Sequence, residues 1–209
     1  SLRVDGNIGT VASVLNELPV PTAELWITVD EHGSSPYATR QANPVLARFV
    51  KRFWARRVGD ALPLPEGRLH VVALTPHMTR ITLELESPTM NFRCYYQLTD
   101  SRSRKNLLFR VCTLTIQGPC CPATILDQIF TQPENCAWLK GVTRIVIQNA
   151  DYGTTKPANA AIFRPLEAWI ASPAAGALSS VEFVGCGARV KPLYWRLEAV
   201  KAGAELTWR

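Results

Sequence analysis

LSSVEFVGCG, residues 178–187, carries apolar side chains at Leu178, Val181 and Phe183 and a cysteine at Cys186. Apolar and polar residues that alternate mark a half-buried strand, because successive strand side chains point to opposite faces. One such stretch is cheap, and recurrence gives it meaning. The same three-step frame returns as Met78, Ile81 and Leu83 in MTRITLEL, as Val111, Leu114 and Ile116 in VCTLTIQG, and as Val142, Ile145 and Ile147 in VTRIVIQN. Two reduced copies lack the first position: Leu25, Ile27 and Val29 in ELWITVD, and Leu206 with Trp208 in AELTWR. Terminal copies of an array are ordinarily irregular in this way. The middle positions 81, 114, 145, 181 and 206 are spaced by 33, 31, 36 and 25 residues, whereas 56 separate 25 from 81. The number of repeats between residues 30 and 78 is therefore left open.

Segments with helical spacing lie between these frames. They are Ile8, Val11, Val14, Leu15 and Leu18; Val45, Leu46, Phe49, Val50 and Phe53; Ile125, Leu126, Ile129 and Phe130; and Ile162, Phe163, Leu166, Trp169 and Ile170. Pro44, Pro122 and Pro165 stand near expected helix starts, where a missing backbone donor costs nothing, and Gly33, Gly118, Gly153 and Gly185 follow expected strands. The period is one strand plus one helix, and 178–186 has the order of a leucine-rich repeat's strand and exit turn. The expected fold is an α/β, leucine-rich-repeat-like solenoid with parallel strands on its concave side and helices on its convex side. It fills residues 1–209 as a single irregular domain of five to seven repeats, interrupted by two polar loops at 87–106 and 150–160.

Composition agrees with a folded chain: 209 residues, 47% hydrophobic and 19% charged. No apolar run is long enough for a membrane span, and Arg3, Asp5, Asn16 and Glu17 break up the first twenty residues, so neither a span nor a secretion signal is expected. A first residue of serine fits a processed or trimmed piece of a longer protein. Six cysteines without an even ladder of spacings read as reduced, buried thiols, and the expected compartment is cytoplasm or nucleus.

In a strand-plus-helix stack Val181 and Phe183 pack inward, and the small Cys186 lets the chain turn beneath the next repeat. The alternate side chains stay on the open sheet face. Trp26, Thr28, Arg80, Thr82, Glu84, Thr113, Thr115, Gln117, Arg144, Gln148 and Glu182 are the candidate protein-binding residues. Trp26 stands out, since exposed tryptophans anchor interfaces. Against this, a preceding helix that caps the first repeat would bury its ring.

The order of FVKRFWARR, ALTPHMTRITLELES, ILDQIFTQPENCAWLKGVTRIVIQNA, LEAWIASPAAGALSSVEFVGCG and LEAVKAGAELTWR resembles the leucine-rich carboxy-terminal half of fungal F-box proteins, those of mushroom-forming fungi in particular. The resemblance runs from about residue 8 onward and is one of repeat style. It implies a substrate-recognition module, joined in the family to an F-box that docks on the adaptor of a cullin-type ubiquitin ligase. No F-box precedes the repeats within these residues.

The expected partner is thus a protein, without a membrane. Nucleic acid ranks behind it, as a second reading carried by the basic helix 45–57, with Lys51, Arg52, Arg56 and Arg57, and by loop 99–106, with RSRK near Arg93, Tyr95 and Tyr96. A solvated helix face and a solvated loop are the plainer accounts of both. Catalysis is not expected. Cys94, Cys112 and Cys136 have no local activating signature with His70 or His77, and Asp30, Glu31, Glu84, Glu86 and Asp151 are scattered. Neither a phosphate loop nor a metal motif is present, so no cofactor and no metal are expected.

Overall fold

The computed structural model describes residues 1–31, 34–59, 64–75, 78–96, 109–118, 126, 129–131, 137–151, 163–201 and 203–209. Among them the chain is mixed α/β. In chain order come β1 (Leu2–Asn7), α1 (Ile8–Glu17), β2 (Leu25–Asp30), α2 (Pro36–Val58), β3 (Gly67–Thr75), β4 (Met78–Ser87), β5 (Met90–Tyr96), β6 (Val111–Gln117) and β7 (Arg144–Gln148). Then follow α3 (Arg164–Ile170), β8 (Ser180–Val184), α4 (Lys191–Val200) and β9 (Glu205–Trp208). The described strand pairings are mostly parallel. The chain divides into two compact units, Ser1–Gly67 with Thr82–Arg110, and Arg68–Ile81 with Val111–Arg209.

In the first unit β1, β2, β5 and β4 lie in that order. β1 pairs parallel with β2, and β2 parallel with β5; α1 is the crossover between the first pair, while the chain reaches β5 from β2 by way of α2, β3 and β4. Asn7 ends β1 and also caps α1, its side chain accepting from the Gly9 N–H at 3.0 Å. α1 then buries Ile8, Val11, Ala12 and Leu15. α2 starts earlier than its apolar periodicity does. Ser35 accepts from the Ala38 N–H at 3.2 Å and Pro36 occupies the first turn, so the helix has its start signal well upstream of Pro44. Pro44 was expected at a helix start and instead lies inside α2, on its exposed side, where water can take up the freed carbonyl. Leu46, Phe49, Val50 and Phe53 are buried along the other side, and α2 packs on α1.

Two residues, Pro88 and Thr89, separate β4 from its neighbour β5, a link only an antiparallel hairpin permits. The Ser87 hydroxyl accepts from the Met90 N–H at 3.1 Å to close the turn. This hairpin corrects two expectations. Residues 90–96 were read inside a loop and form a strand, with Met90, Phe92 and Cys94 buried on alternate positions. Strands were also expected parallel in chain order, and here β5 turns back along β4 to lie beside β2.

The second unit keeps chain order. β6, β7, β8 and β9 are consecutive in sequence as in the sheet, with β3 beside β6, and the pairs from β6 to β9 are all parallel. Leu114, Ile145, Val181 and Leu206 fall in one register row, and Ile116, Ile147, Phe183 and Trp208 in the next but one. The first three residues of each row are at most 1% exposed. The frame read from 178–186 thus describes real inward rows. β3 was not anticipated, although Leu69, Val71 and Ala73 alternate and are buried.

β7, β8 and β9 are each pinned at both ends to the strand before them. Just ahead of the strands, the Thr143 hydroxyl donates to the Cys112 carbonyl at 3.3 Å, and the Ser179 hydroxyl to the Thr143 carbonyl at 2.8 Å. These equivalent positions are 31 and 36 residues apart. Just past the strands, Gly118, Asn149 and Gly185 all take positive φ and donate their N–H groups to Gln148, Val184 and Arg209 carbonyls. Cys186 Sγ lies 3.2 Å from the Ile147 carbonyl, so its contact is with the preceding strand rather than with the next repeat.

The helical side of the second unit holds α3 and α4, tied by an Arg196 Nε–Glu167 Oε1 contact of 2.7 Å. Leu126, Ile129 and Phe130 are helical and buried, as expected, while Ile125, Ile162, Gly33, Gly153 and Pro122 lie outside the described residues. Pro165 does stand in the first turn of α3. Cys94 and Cys112 are buried thiols that form no disulfide, and Cys186 is half-buried; Cys120, Cys121 and Cys136 lie outside the described residues. No helix among the described residues is long and apolar enough to cross a membrane.

Candidate functional site

Residues paired across a sheet share a face, so the registers define outward rows. In the first unit these are Arg3–Trp26–Asn91, Asp5–Thr28–Arg93 and Asn7–Asp30–Tyr95. Trp26 is 45% exposed, which decides its orientation: the preceding helix does not cap it. Around it the face is polar and internally paired. The Arg3 guanidinium donates to Asp5 Oδ2 at 3.1 Å. The Thr28 hydroxyl, and then Arg3, hold the Asp5 carboxyl below the usual carboxylate range. Arg93 Nε lies 2.6 Å from Glu84 Oε1 on β4. Partial burial works against the charge on Arg93, but the Glu84 carboxylate and the Tyr95 side chain outweigh it and hold the guanidinium above its ordinary range.

The second unit presents Thr113–Arg144–Ser180–Glu205, Thr115–Val146–Glu182–Thr207 and Gln117–Gln148–Val184. Its centre is a two-pronged pair, with Arg144 Nε 2.7 Å from Glu182 Oε1 and Nη2 2.8 Å from Oε2. Such a fork fixes both planes and is the stronger form of ion pair. The hydrogen bond from Arg144 holds Glu182 below the usual carboxylate range despite its burial, with the charges of Arg144 and Arg209 adding to the effect.

The residues singled out from sequence thus fall on outward positions, but in different degrees. Trp26, Arg80 and Arg144 are exposed; Thr28, Glu84, Thr113, Gln117 and Gln148 are half-buried. Thr82, Thr115 and Glu182 are nearly buried, at 6%, 5% and 7%. A short side chain in a central strand is walled in by neighbours on both flanking strands, and Glu182 is roofed by the arginine that it binds. Trp26, Thr28 and Glu84 come together in the first unit; Thr113, Thr115, Gln117, Arg144, Gln148 and Glu182 come together in the second. Sequence reading missed Arg3, Asn91 and Arg93 as companions of Trp26, because β1 and β5 were not recognised. Alternation at Leu2 and Val4, and at Met90, Phe92 and Cys94, was the signal available. Loop 99–106, His77 and Cys136 lie outside the described residues.

No family model, curated protein or solved structure matches this chain. Its function has to be argued from the surface itself. Exposed groups on the two sets of rows are amides, hydroxyls, carboxylates and guanidinium groups, with one large indole. Among the described residues, no three His, Cys, Asp or Glu side chains are grouped to hold a metal ion.

The Glu182 pair has a pH signature. Its folded carboxyl is shifted down, so the stability it contributes is complete above the ordinary glutamate value and is lost as pH falls through the lowered value. Urea unfolding of Glu182→Gln should therefore show its largest deficit against the unmodified chain at neutral pH. The two curves should converge in acid, and a deficit that stays constant with pH would remove the pair from the account.

Proposed function

We propose that the chain is a non-catalytic protein-binding scaffold, an α/β leucine-rich-repeat-like solenoid whose partner lies along the outward sheet rows. The solenoid reading is supported by the second unit, where equivalent hydroxyls before successive strands and left-handed residues after them recur at repeat spacing. The observation that carries the binding reading is Trp26. An indole 45% exposed, on a strand face between Arg3 and Asn91, leaves apolar surface in water that a partner would cover. The surrounding paired charges supply the polar rim that interfaces use for register and for rejecting wrong partners. The narrower role, substrate recognition within an F-box ubiquitin ligase, rests on the resemblance of repeat style.

The test is affinity capture from cell extract with the unmodified chain and with Trp26→Ala, followed by titration of the captured protein. A central interface tryptophan is worth about 2 kcal/mol or more, so affinity should fall by about 30-fold or more. Unfolding free energy should change by less than about 1 kcal/mol, since a half-exposed side chain leaves no closed cavity. Trp195→Ala, on the exposed side of α4, serves as the control and should bind normally. Equal capture by both chains would end the scaffold reading at this face. Failure of a ligase adaptor to co-purify with the full-length gene product would end the ubiquitin role alone.

A further inference from the structure

We propose that the solvent-facing stripe of α2 binds the phosphate backbone of nucleic acid, without reading base sequence. The 23 residues of α2 include six cations, Arg40, Arg48, Lys51, Arg52, Arg56 and Arg57, and no aspartate or glutamate. That matches the formal net charge of the whole chain, +6. The six are not equivalent. Arg56 and Arg57 sit in the last turn, where the helix dipole favours cations. They also donate to the Val20 and Thr22 carbonyls at 3.1 and 3.3 Å, so they have structural work. The other four have none of this. Successive residues turn by about 100°, so Arg40, Arg48, Lys51 and Arg52 fall within a sector of about 120°. That sector lies opposite the buried Leu46, Phe49 and Phe53. All four are exposed, and none is ion-paired among the described residues.

A face that served only solubility would interleave glutamates, because like charges three or four apart each cost a few tenths of a kcal/mol and opposite ones repay it. Here Arg48 stands three residues from Lys51 and four from Arg52, with no acid anywhere on the helix. An anion from outside relieves that repulsion. Three of the four cations are arginines, whose forked donors match phosphate oxygens. From Arg40 to Arg52 the stripe runs about 18 Å along the axis, long enough for several phosphates. Apart from Tyr37 and Pro44 it offers no large apolar side chain, so it lacks both the buried anchor that protein interfaces use and the apolar face that enters a lipid layer. Phosphate binding needs neither, since its free energy comes from released counterions.

The test uses the full chain and a fluorescent, mixed-sequence DNA duplex, with affinity followed by anisotropy between about 50 and 300 mM salt. The chain should bind at low salt, weaken steeply as salt rises, and bind a duplex of scrambled sequence equally well. The combined variant Arg40→Gln, Arg48→Gln, Lys51→Gln, Arg52→Gln should keep its unfolding midpoint, lose at least about 100-fold in affinity at low salt, and flatten the log–log salt slope by about 3 to 4. Trp26→Ala should bind the duplex normally, which separates this surface from the scaffold face. The proposal is overturned by absence of duplex binding at low salt, by a combined variant that binds like the unmodified chain, or by phosphatidylserine vesicles that outcompete the duplex.

Discussion

Phe183→Ala is expected to lower the free energy of unfolding by about 3–5 kcal/mol, the range for emptying a buried aromatic site. Phe183 is fully buried in the inward row of β8. Its ring stacks on Trp208 of β9 with centroids 5.3 Å apart and planes 13° apart, and meets Tyr194 of α4 edge-on at 5.4 Å. Each aromatic contact adds about 0.5–1.5 kcal/mol beyond the area that it buries. Strand and helix hold the walls of the site apart, so the vacated volume collapses poorly. Urea denaturation measures the effect, and Phe183→Leu should recover more than half of it. A loss below about 1 kcal/mol, the size of a surface change, would mean that the inward rows do not form the core of the second unit.

Gly118→Ala should cost about 3 kcal/mol or more, by a different mechanism. Gly118 follows β6 with φ at +127°, a region that side chains rarely adopt. A Cβ placed there would lie 2.3 Å from the Ala73 carbonyl oxygen. Backbone cannot swing aside as a flexible side chain does, so β3 would have to move away from β6. Gly59 supplies the comparison, because it also has positive φ, at +81°, but an added Cβ meets nothing within 4 Å. Gly59→Ala should therefore show backbone strain alone, about 1–2 kcal/mol. Thermal and urea midpoints of the two variants separate strain from collision, and equal losses would contradict the close approach of β3 to Gly118.

The strands that sequence made legible are those whose apolar residues follow the three-step frame. Val111, Leu114 and Ile116, and then Val142, Ile145 and Ile147, are all buried, at 1% exposure or less. β3 hid its alternation behind a continuous apolar run, since Val71 and Val72 are adjacent. β5 hid among polar neighbours, with Asn91, Arg93 and Tyr95 between its inward residues. Strand order was beyond the frame altogether. A periodic pattern states which face a residue takes, whereas the neighbour of a strand depends on whether the chain crosses over or turns back. Pro88 and Thr89 make that choice without the Asn-Gly or Asp-Gly signal of a tight hairpin. The start of α2 was legible in its cap rather than its periodicity, because Tyr37, Arg40 and Gln41 precede the first buried residue, Ala42. At the candidate site, the parity of Thr115 and Glu182 was readable, but their burial was not. For Thr115 it depends on the flanking strands, and for Glu182 on Arg144 reaching over from the adjacent strand.

The hydroxyl bonds of Thr143 and Ser179 join successive strands across chain separations that differ, 31 residues in one case and 36 in the other. The same clasp recurs at the margin of the sheet, beside the strand ladders, whatever the length of the chain between. The pleated part keeps time at a constant beat, although the lengths of chain between its strands are unequal.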